Sequence, residues 1–262
     1  MRSARRLLRR KERTELGRFL AEGRQAVSEA LRRPGTVLDL LVGTDVVERH
    51  QDLLALAVTA GVPVASVAPA QLATLADTVT PQGLLAVCRT VDVGLDEALG
   101  GSPRLVVLCD QVRDPGNLGT VIRCADAFGA DAVLVSTESV DLHNPKTVRA
   151  STGSVFHLPV AVEVEPAAVV ARARELGMAV YGADGEGQAT IDDLVAAGQL
   201  GRPVLWVMGN EAWGLPAEHA ALVDALVALP MYGRAESLNL STAAAVILYA
   251  TATAQRAAVA AP

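Results

Sequence analysis

The sequence has 262 residues, of which 51% are hydrophobic and 3% aromatic, enough apolar material for one large domain or two ordinary ones and too much for a disordered chain. The formal net charge is −6, but residues 1–33 contain ten Arg and one Lys against four Glu, a local charge of +7, so the remainder carries −13. A basic arm on an acidic body is typical of an extension that binds phosphate, although a solvated helix end would have the same composition.

Membrane spans, disulfides and metal sites are not indicated. The best candidate for a span, residues 243–254, is short and interrupted by Tyr and Thr, which favours a packed helix. The Arg-rich start has no apolar run before Glu12, unlike an export signal. The cysteines and histidines lack disulfide or metal-ligand spacing: Cys88, Cys109, Cys124, His50, His143, His157 and His219. We expect free buried thiols, no metal, no membrane association and a cytoplasmic location.

Residues 1–92 are predicted to form a small α/β domain. Short apolar runs predict strands over 37–42, 62–67 and 84–88, and apolar residues at helical spacing predict a helix between 46 and 61. The breaker-rich segment 93–103 predicts a linker, which separates this domain from a second one over 104–262.

The second domain is predicted to contain a mainly parallel sheet with helices on both faces. Uninterrupted apolar runs, typical of strands covered on both sides, recur at 105–109, 132–135, 178–181, 204–208 and 225–229, with helical patterns between most of them. Ligands of such sheets bind beyond the carboxyl ends of the strands. The segments after Cys109, Tyr181, Met208 and Leu229 are therefore the candidate sites.

The segment after Cys109 combines a turn with a helix start. Pro115-Gly116 predicts the turn and Asn117 a cap for the helix that follows. Apolar residues then share one helix face, so that Asn117 and Arg123 project from the other side. Taken alone, these residues could equally be an ordinary cap and a surface arginine.

The segments after Met208 and Leu229 are loops rich in glycine and small polar residues. In the first, GNEAWGLP (209–216), Gly209 frees the backbone to turn sharply, and Glu211 is a candidate partner for a nearby arginine. In the second, PMYGRAESLNLS (230–241), Pro230 ends strand pairing, and Asn239 or Ser241 is suited to cap the Ala-rich last helix. Each is also consistent with a plain strand-to-helix connection.

Together the three segments resemble the signature motifs of the SpoU/TrmH family of RNA ribose methyltransferases in the SPOUT superfamily, in the same order and over roughly residues 104–256. Segment 144–154 also resembles that family, and segments 19–23 and 80–83 resemble its N-terminal substrate-binding domain, which is similar to a small ribosomal protein. One departure is Ala212, where members often carry Gly.

The resemblance implies an α/β fold with a deep trefoil knot in the C-terminal SPOUT domain and a small N-terminal α/β substrate-binding domain. It implies a homodimer and a methyl donor, S-adenosylmethionine, held in the knot largely by backbone groups. The implied donor-binding residues are Met208, Gly209, Asn210, Glu211, Leu229, Pro230, Met231, Ser237, Leu238 and Asn239. No metal is implied.

The implied catalytic residues are Arg123, Asn117, Glu211, Ser237 and Asn239. In the family, the arginine at position 123 is held to be the base that deprotonates the ribose hydroxyl. A guanidinium is normally always protonated, and the alternative role of Arg123 is to clamp a phosphate and stabilise the developing alkoxide. The whole chain looks most like the ribosomal members, which makes ribosomal RNA the preferred substrate and transfer RNA the alternative. A housekeeping and an antibiotic-resistance role both remain open.

Two other functions compete. A dinucleotide-dependent oxidoreductase is suggested by the loop GADGEG (182–187), but a helix should begin directly behind such a loop and residues 188–190 intervene. A non-catalytic RNA-binding or ribosome-assembly protein would keep the arm and the fold, but the intact motif residues argue against it. Binding of S-adenosylmethionine, NAD or neither would separate the three.

Overall fold

The computed structural model of the protein describes residues 2–78 and 80–260, so residues 1, 79, 261 and 262 of the predicted domains lie outside the described residues. The strands are, in chain order, β1 (Arg18–Glu22), β2 (Val37–Gly43), β3 (Val64–Val67), β4 (Leu84–Arg89), β5 (Leu105–Cys109), β6 (Ala132–Ser136), β7 (Val160–Val164), β8 (Ala179–Ala183), β9 (Ala189–Thr190), β10 (Val204–Met208) and β11 (Ala225–Ala228).

The α-helices are, in chain order, α1 (Arg2–Arg6), α2 (Arg10–Leu16), α3 (Arg24–Arg32), α4 (Gln51–Thr59), α5 (Pro69–Ala73), α6 (Leu95–Ala98), α7 (Pro115–Phe128), α8 (Pro145–Ala150), α9 (Pro166–Glu175), α10 (Ile191–Ala196), α11 (Ala217–Ala220) and α12 (Leu240–Ala260). Short 3₁₀ turns lie at Glu48–His50, Ser154–Phe156 and Gln199–Gly201.

The chain divides into two compact units. The first contains the residues up to Val91 together with the segment Asp141–His157, and the second contains Asp92–Val140 and the residues from Leu158 onward. The predicted linker, 93–103, follows the first crossing between the units. The structure adds that Asp141–His157, although inserted between β6 and β7, belongs with the first unit.

The first unit is built on a four-stranded mixed sheet. Its strand order is β1-β4-β2-β3, with β4 antiparallel to both β1 and β2, and β2 parallel to β3. Buried leucines from three of these strands, Leu20, Leu41 and Leu85, share one core cluster. The segment Asp141–His157 is fixed to this unit by the nearly buried Arg13, whose Nε donates to Asp141 Oδ2 at 2.8 Å.

The second unit is built on a seven-stranded sheet of order β7-β6-β5-β10-β8-β11-β9, and the strand pairs described in it are all parallel. The central strands β5 and β10 are buried along their whole length because their sequences, LVVLC and VLWVM, are apolar at every position. The predicted α/β architecture with a mainly parallel sheet is confirmed. The trefoil knot stays a prediction.

The strand order places the candidate loops side by side. Strands β5, β10, β8 and β11 are consecutive neighbours, and parallel strands end at the same edge of a sheet. The segments that follow them therefore gather at one edge of the second unit, as the sequence analysis predicted.

Candidate active site

The loop after β5 leads into α7 through a cap that the sequence analysis assigned to the wrong residue. The cap is Asp114, whose side chain accepts a hydrogen bond from the backbone N–H of Asn117 at 2.9 Å, and Pro115 occupies the first helical position. Proline is favoured there because its missing N–H is not needed. Asn117 consequently lies within the first turn, and its side chain is available for other contacts.

Asn117 joins all three motif segments. Its Nδ2 donates to Glu211 Oε1 at 2.9 Å, and its Oδ1 accepts from Asn239 Nδ2 at 3.1 Å. Three of the five predicted catalytic residues therefore form one hydrogen-bonded chain. Among the described residues, the side-chain partner of Glu211 is Asn117 and not an arginine, so the pairing that the sequence suggested is not formed.

The loop after β10 is a tight turn closed by backbone hydrogen bonds. Asn210 N donates to Gly214 O at 2.9 Å, and Gly214 N donates to Asn210 O at 3.0 Å. A Cβ on Gly209 would lie 2.5 Å from the backbone of Gly214, so this close approach requires glycine. The positive φ of the loop falls on Gly214, at 69°, and not on Ala212, so the departure from the family pattern at position 212 is compatible with the turn.

Asn210 links this loop to the loop after β5. The residue is buried, and its Oδ1 accepts from Ala212 N at 2.8 Å while its Nδ2 donates to Gln111 O at 2.7 Å. Gln111 has a positive φ of 52°, an unfavourable conformation for a residue with a side chain, and its N–H donates to Ser136 Oγ at 2.8 Å. These hydrogen bonds hold the two loops in one arrangement.

The loop after β11 ends where Asn239 caps α12, one of the two caps that the sequence predicted. Asn239 Oδ1 accepts from the backbone N–H of Ser241 at 2.9 Å and from its hydroxyl at 2.7 Å. The cap leaves Asn239 Nδ2 to donate to Asn117. A single asparagine thus both starts the last helix and contacts the first motif.

A cleft of about 650 Å³ lies at this edge of the sheet, within the usual size range of small-molecule sites. Nine of the ten predicted donor-binding residues line it, Pro230 being the exception: Met208, Gly209, Asn210, Glu211, Leu229, Met231, Ser237, Leu238 and Asn239. Sequence reasoning missed other lining residues, among them Asp184, Gly185 and Glu186 after β8, and Trp213, Ala243 and Ile247. The loop that had suggested a dinucleotide site is therefore one wall of this cleft.

Arg123 lies outside the lining of the cleft. It is exposed on α7, two turns beyond the cap, while Val121, Ile122 and Ala125 face the core. No hydrogen bond or ion pair of its side chain occurs among the described residues. The predicted catalytic arginine is thus a free cation on the surface of the second unit, and its removal opens no cavity.

A buried pair beside the site escaped the sequence analysis. Asp110, fully buried directly after β5, has its Oδ2 2.6 Å from Nδ1 of His219 on α11. Among the described residues, Asp110 Oδ1 has no hydrogen-bond partner. Asp110 can be recognised in the sequence as a polar residue that follows an apolar strand. Its partner His219 is more than 100 positions away, and no local sequence pattern indicates the pairing.

Within the described residues, no group of His, Cys, Asp and Glu side chains is arranged to hold a metal ion. The helices in that part of the chain include none long and apolar enough to cross a membrane.

Comparison with known proteins identifies the family. Residues 104–249 match the SpoU rRNA Methylase family, and residues 1–86 match the MRM3-like substrate binding domain. Because the first match covers more than half of the chain, the protein belongs to the SpoU rRNA Methylase family.

Individual relatives extend the likeness over almost the full length. The 23S rRNA (guanosine(2553)-2′-O)-methyltransferase RlmP of Bacillus subtilis is 37% identical over 92% of this chain and 90% of its own. The 23S rRNA (uridine(2479)-2′-O)-methyltransferase of Streptomyces viridochromogenes is 33% identical over 92% and 84%. The crystal structure of the SpoU methyltransferase AviRb from the same organism, in complex with AdoMet, has a TM-score of 0.84 and 33% identity, with 98% of each chain covered.

Proposed function

We propose that the protein transfers a methyl group from S-adenosylmethionine to a ribose 2′-hydroxyl of large-subunit ribosomal RNA. The observation that carries the proposal is the contact of Asn117 with both Glu211 and Asn239, which joins the three motif segments at the wall of one cleft. The two relatives described as 23S rRNA 2′-O-methyltransferases support the reaction and favour ribosomal over transfer RNA.

The cleft fits the methyl donor in size and chemistry. Leu229, Leu238 and Ile247 give it an apolar part, and the turn between Asn210 and Gly214 gives it a backbone-lined part. The residues that would hold the donor are the nine predicted residues that line the cleft. When bound, the donor supplies a methyl group already activated by a sulfonium.

The protein's own residues then have two tasks, which are to orient the ribose and to stabilise the negative charge that develops on its oxygen. Orientation of two reactants is one of the largest sources of rate enhancement, and Asn117, Glu211 and Asn239 are preorganised for it by their hydrogen bonds. An O–C bond forms, the C–S bond breaks to leave S-adenosylhomocysteine, and the hydroxyl proton passes to solvent water. We assign Arg123 the role of stabilising the developing negative charge on the ribose oxygen. A protonated guanidinium is a cation that donates hydrogen bonds, and it is not a base.

The alternatives are transfer RNA as substrate and a non-catalytic RNA-binding role. A solved structure titled as insight into 2-OH methylation of C/U34 on tRNA covers only 60% of this chain, at 26% identity and a TM-score of 0.51. The two relatives described as 23S rRNA methyltransferases each match 92% of this chain, which favours the ribosomal substrate.

We further propose that the first unit binds the RNA, that the second unit is catalytic, and that the protein acts in the cytoplasm as a knotted homodimer. The positive charge of residues 1–33 supports the first assignment. The dimer can be tested directly, because equilibrium sedimentation should give twice the 27.2 kDa mass of the chain. A persistent monomer at micromolar concentration would contradict it.

The reaction is tested on an unmodified transcript of large-subunit ribosomal RNA, incubated with the protein and labelled S-adenosylmethionine. Alkaline cleavage of RNA needs a free 2′-hydroxyl, so the modified position should resist hydrolysis. A labelled transcript that is still cut at every position would show base methylation and overturn the proposal. A transfer RNA transcript run in parallel decides between the two substrates.

A further inference from the structure

Trp213 is an exposed aromatic residue in a protein that contains few aromatic residues. The sequence contains only two Trp, three Tyr and three Phe, and three of these eight residues, Trp206, Tyr181 and Phe19, are among the largest fully buried side chains. Trp213, by contrast, is 55% exposed and lines the cleft. Leaving so large an apolar surface in water is unfavourable, and the position of the ring in the wall of a cleft indicates a ligand contact.

The other exposed aromatic residues have partners within the protein. Tyr249 packs edge-on against Phe128, with ring centroids 5.7 Å apart, and the hydroxyl of Tyr232 donates to Asp192 Oδ2 at 3.0 Å. Within the described residues, the indole of Trp213 has neither a ring partner nor a hydrogen bond for its N–H. Its free face is therefore available to a ligand.

The loop that carries Trp213 is rigid on both sides of the ring. The paired backbone bonds between Asn210 and Gly214 close the turn, and Asn210 Oδ1 accepts from Ala212 N. Glu211 is held by Asn117. A ring on such a loop is preorganised, so stacking on it costs little conformational entropy.

We propose that Trp213 stacks on a base of the RNA substrate at the rim of the cleft, and that it is a substrate-binding residue of this enzyme. The inference rests on the proposed function. The apolar residues Leu229, Leu238 and Ile247 line the same cleft and already offer a surface to the adenine of the donor, whereas more than half of Trp213 faces outward. Stacking on an aromatic side chain is how proteins commonly bind unpaired bases of RNA.

Three substitutions separate stacking from simple burial of apolar surface. Trp213→Phe keeps an aromatic face, Trp213→Leu keeps apolar volume without one, and Trp213→Ala removes both. Binding is measured to an unmodified transcript of large-subunit ribosomal RNA, and donor binding is measured separately with S-adenosylhomocysteine. We expect the Leu and Ala variants to bind the transcript about 5- to 150-fold more weakly, the range for loss of one stacked base. The Phe variant should retain most of the affinity, and all three should bind S-adenosylhomocysteine like the wild type.

Fluorescence gives an independent readout, because the second tryptophan is a built-in reference. Trp206 is fully buried with its Nε1 donating to Thr251 Oγ1 at 3.0 Å, so it is shielded from both ligands. The difference between the wild-type and Trp213→Phe spectra isolates Trp213. The transcript should quench this difference signal, and S-adenosylhomocysteine alone should not.

Two results would overturn the inference. Transcript affinity of Trp213→Leu equal to that of the wild type would rule out stacking on RNA, and loss of S-adenosylhomocysteine binding in that variant would assign the ring to the donor instead. Failure of the proposed function looks different, since the wild-type protein would then neither bind S-adenosylhomocysteine nor methylate the transcript.

Discussion

Arg123 is where the proposed chemistry can be tested at a single residue. Because its side chain is exposed and outside the lining of the donor cleft, Arg123→Ala should keep the fold and the affinity for S-adenosylmethionine. Methyl transfer should fall by orders of magnitude, since loss of one charge-stabilising donor typically costs about 10²- to 10³-fold in kcat. Calorimetric titration of the donor and label transfer to the transcript measure the two effects.

Arg123→Lys is the matched variant. Substantial activity would mean that a positive charge near the ribose oxygen is sufficient, and absence of activity would mean that the planar guanidinium is needed. A stable Arg123→Ala protein that methylates RNA at the wild-type rate would show that the catalytic centre is assigned wrongly, even though the family membership stands.

The three thiols should differ sharply in reactivity. Burial raises the pKa of the Cys109 thiol to about 12 and that of Cys88 still further, so neither forms a thiolate at ordinary pH. Cys124 is only half-buried; burial raises its pKa too, and the nearby Arg123 partly opposes that shift. Iodoacetamide at pH 8 should therefore label Cys124 alone in the native protein, and all three after denaturation, as peptide mass analysis would detect.

The same reagent reports on Arg123. Removing that charge should raise the pKa of Cys124 and slow its alkylation, because less thiolate is present at a given pH. An unchanged rate in Arg123→Ala would mean that the guanidinium lies too far from the thiol to act on it, and rapid labelling of Cys109 would contradict its burial.

For single residues, the sequence predicted the members of the site better than their contacts. It predicted Asn117, Glu211 and Asn239 as site residues, and the fold joins them by hydrogen bonds. It wrongly predicted Asn117 as the helix cap. Asp114 followed by proline was the better cap signal, because proline prefers the first helical position. The pairing of Asp110 with His219 depends on tertiary packing, which no local pattern encodes.

Among the elements of the second unit, the central strands were predictable and the edge strands were not. Strands β5 and β10 are apolar throughout and β6 is apolar up to Ser136, and each was predicted to within a residue or so. Strands β7 and β9, at the two edges of the same sheet, were missed. The apolar pattern of β7 is interrupted by the exposed Glu163, and β9 has only two residues, so neither contains the uninterrupted apolar run that marks a central strand.

The segment Asp141–His157 is an element whose role emerged only in three dimensions. Arg149 on α8 donates to Asp77 Oδ2 at 2.9 Å and to Glu22 Oε2 at 3.3 Å. Glu22 is buried at the end of β1 and also accepts from the hydroxyl of Thr78. Its carboxylate thus depends on Arg149 for compensation of a buried charge.

We expect Arg149→Met to destabilise the first unit by about 1–3 kcal/mol, the usual effect of leaving a buried polar group short of a partner. Hydrogen exchange localises the loss, because amides of β1 and of Asp141–His157 should exchange faster while those of β10 keep their protection. Arg24→Met removes an exposed ion pair with Asp52 in the same unit and should have a smaller effect. Equal exchange in the two variants would show that the buried carboxylate does not need its arginine.

For the whole molecule, the uneven charge is the property that the sequence predicted most directly. The first 33 residues carry +7 on a chain of net charge −6, and several of their arginines are already paired, such as Arg13 with Asp141 and Arg24 with Asp52. Arg5 and Arg9 are exposed, and no partner of their side chains occurs among the described residues. They are therefore the better candidates for contact with RNA phosphates.

Removing the first unit would be a poor test of this assignment, because Asp141–His157 would lose the core it packs against. The double variant Arg5→Gln, Arg9→Gln tests it in the full chain. Each lost phosphate contact should reduce the slope of log affinity against log salt by about 0.7–0.9, so two should reduce it by roughly 1.4–1.8.

The control Arg172→Gln, Arg174→Gln removes the same charge from arginines of the second unit that are paired with Glu175 and Asp224. It should leave the slope for the ribosomal RNA transcript unchanged. Parallel slopes for wild type and both variants would mean that the basic arm is a solvated helix end, and the RNA would have to be held elsewhere.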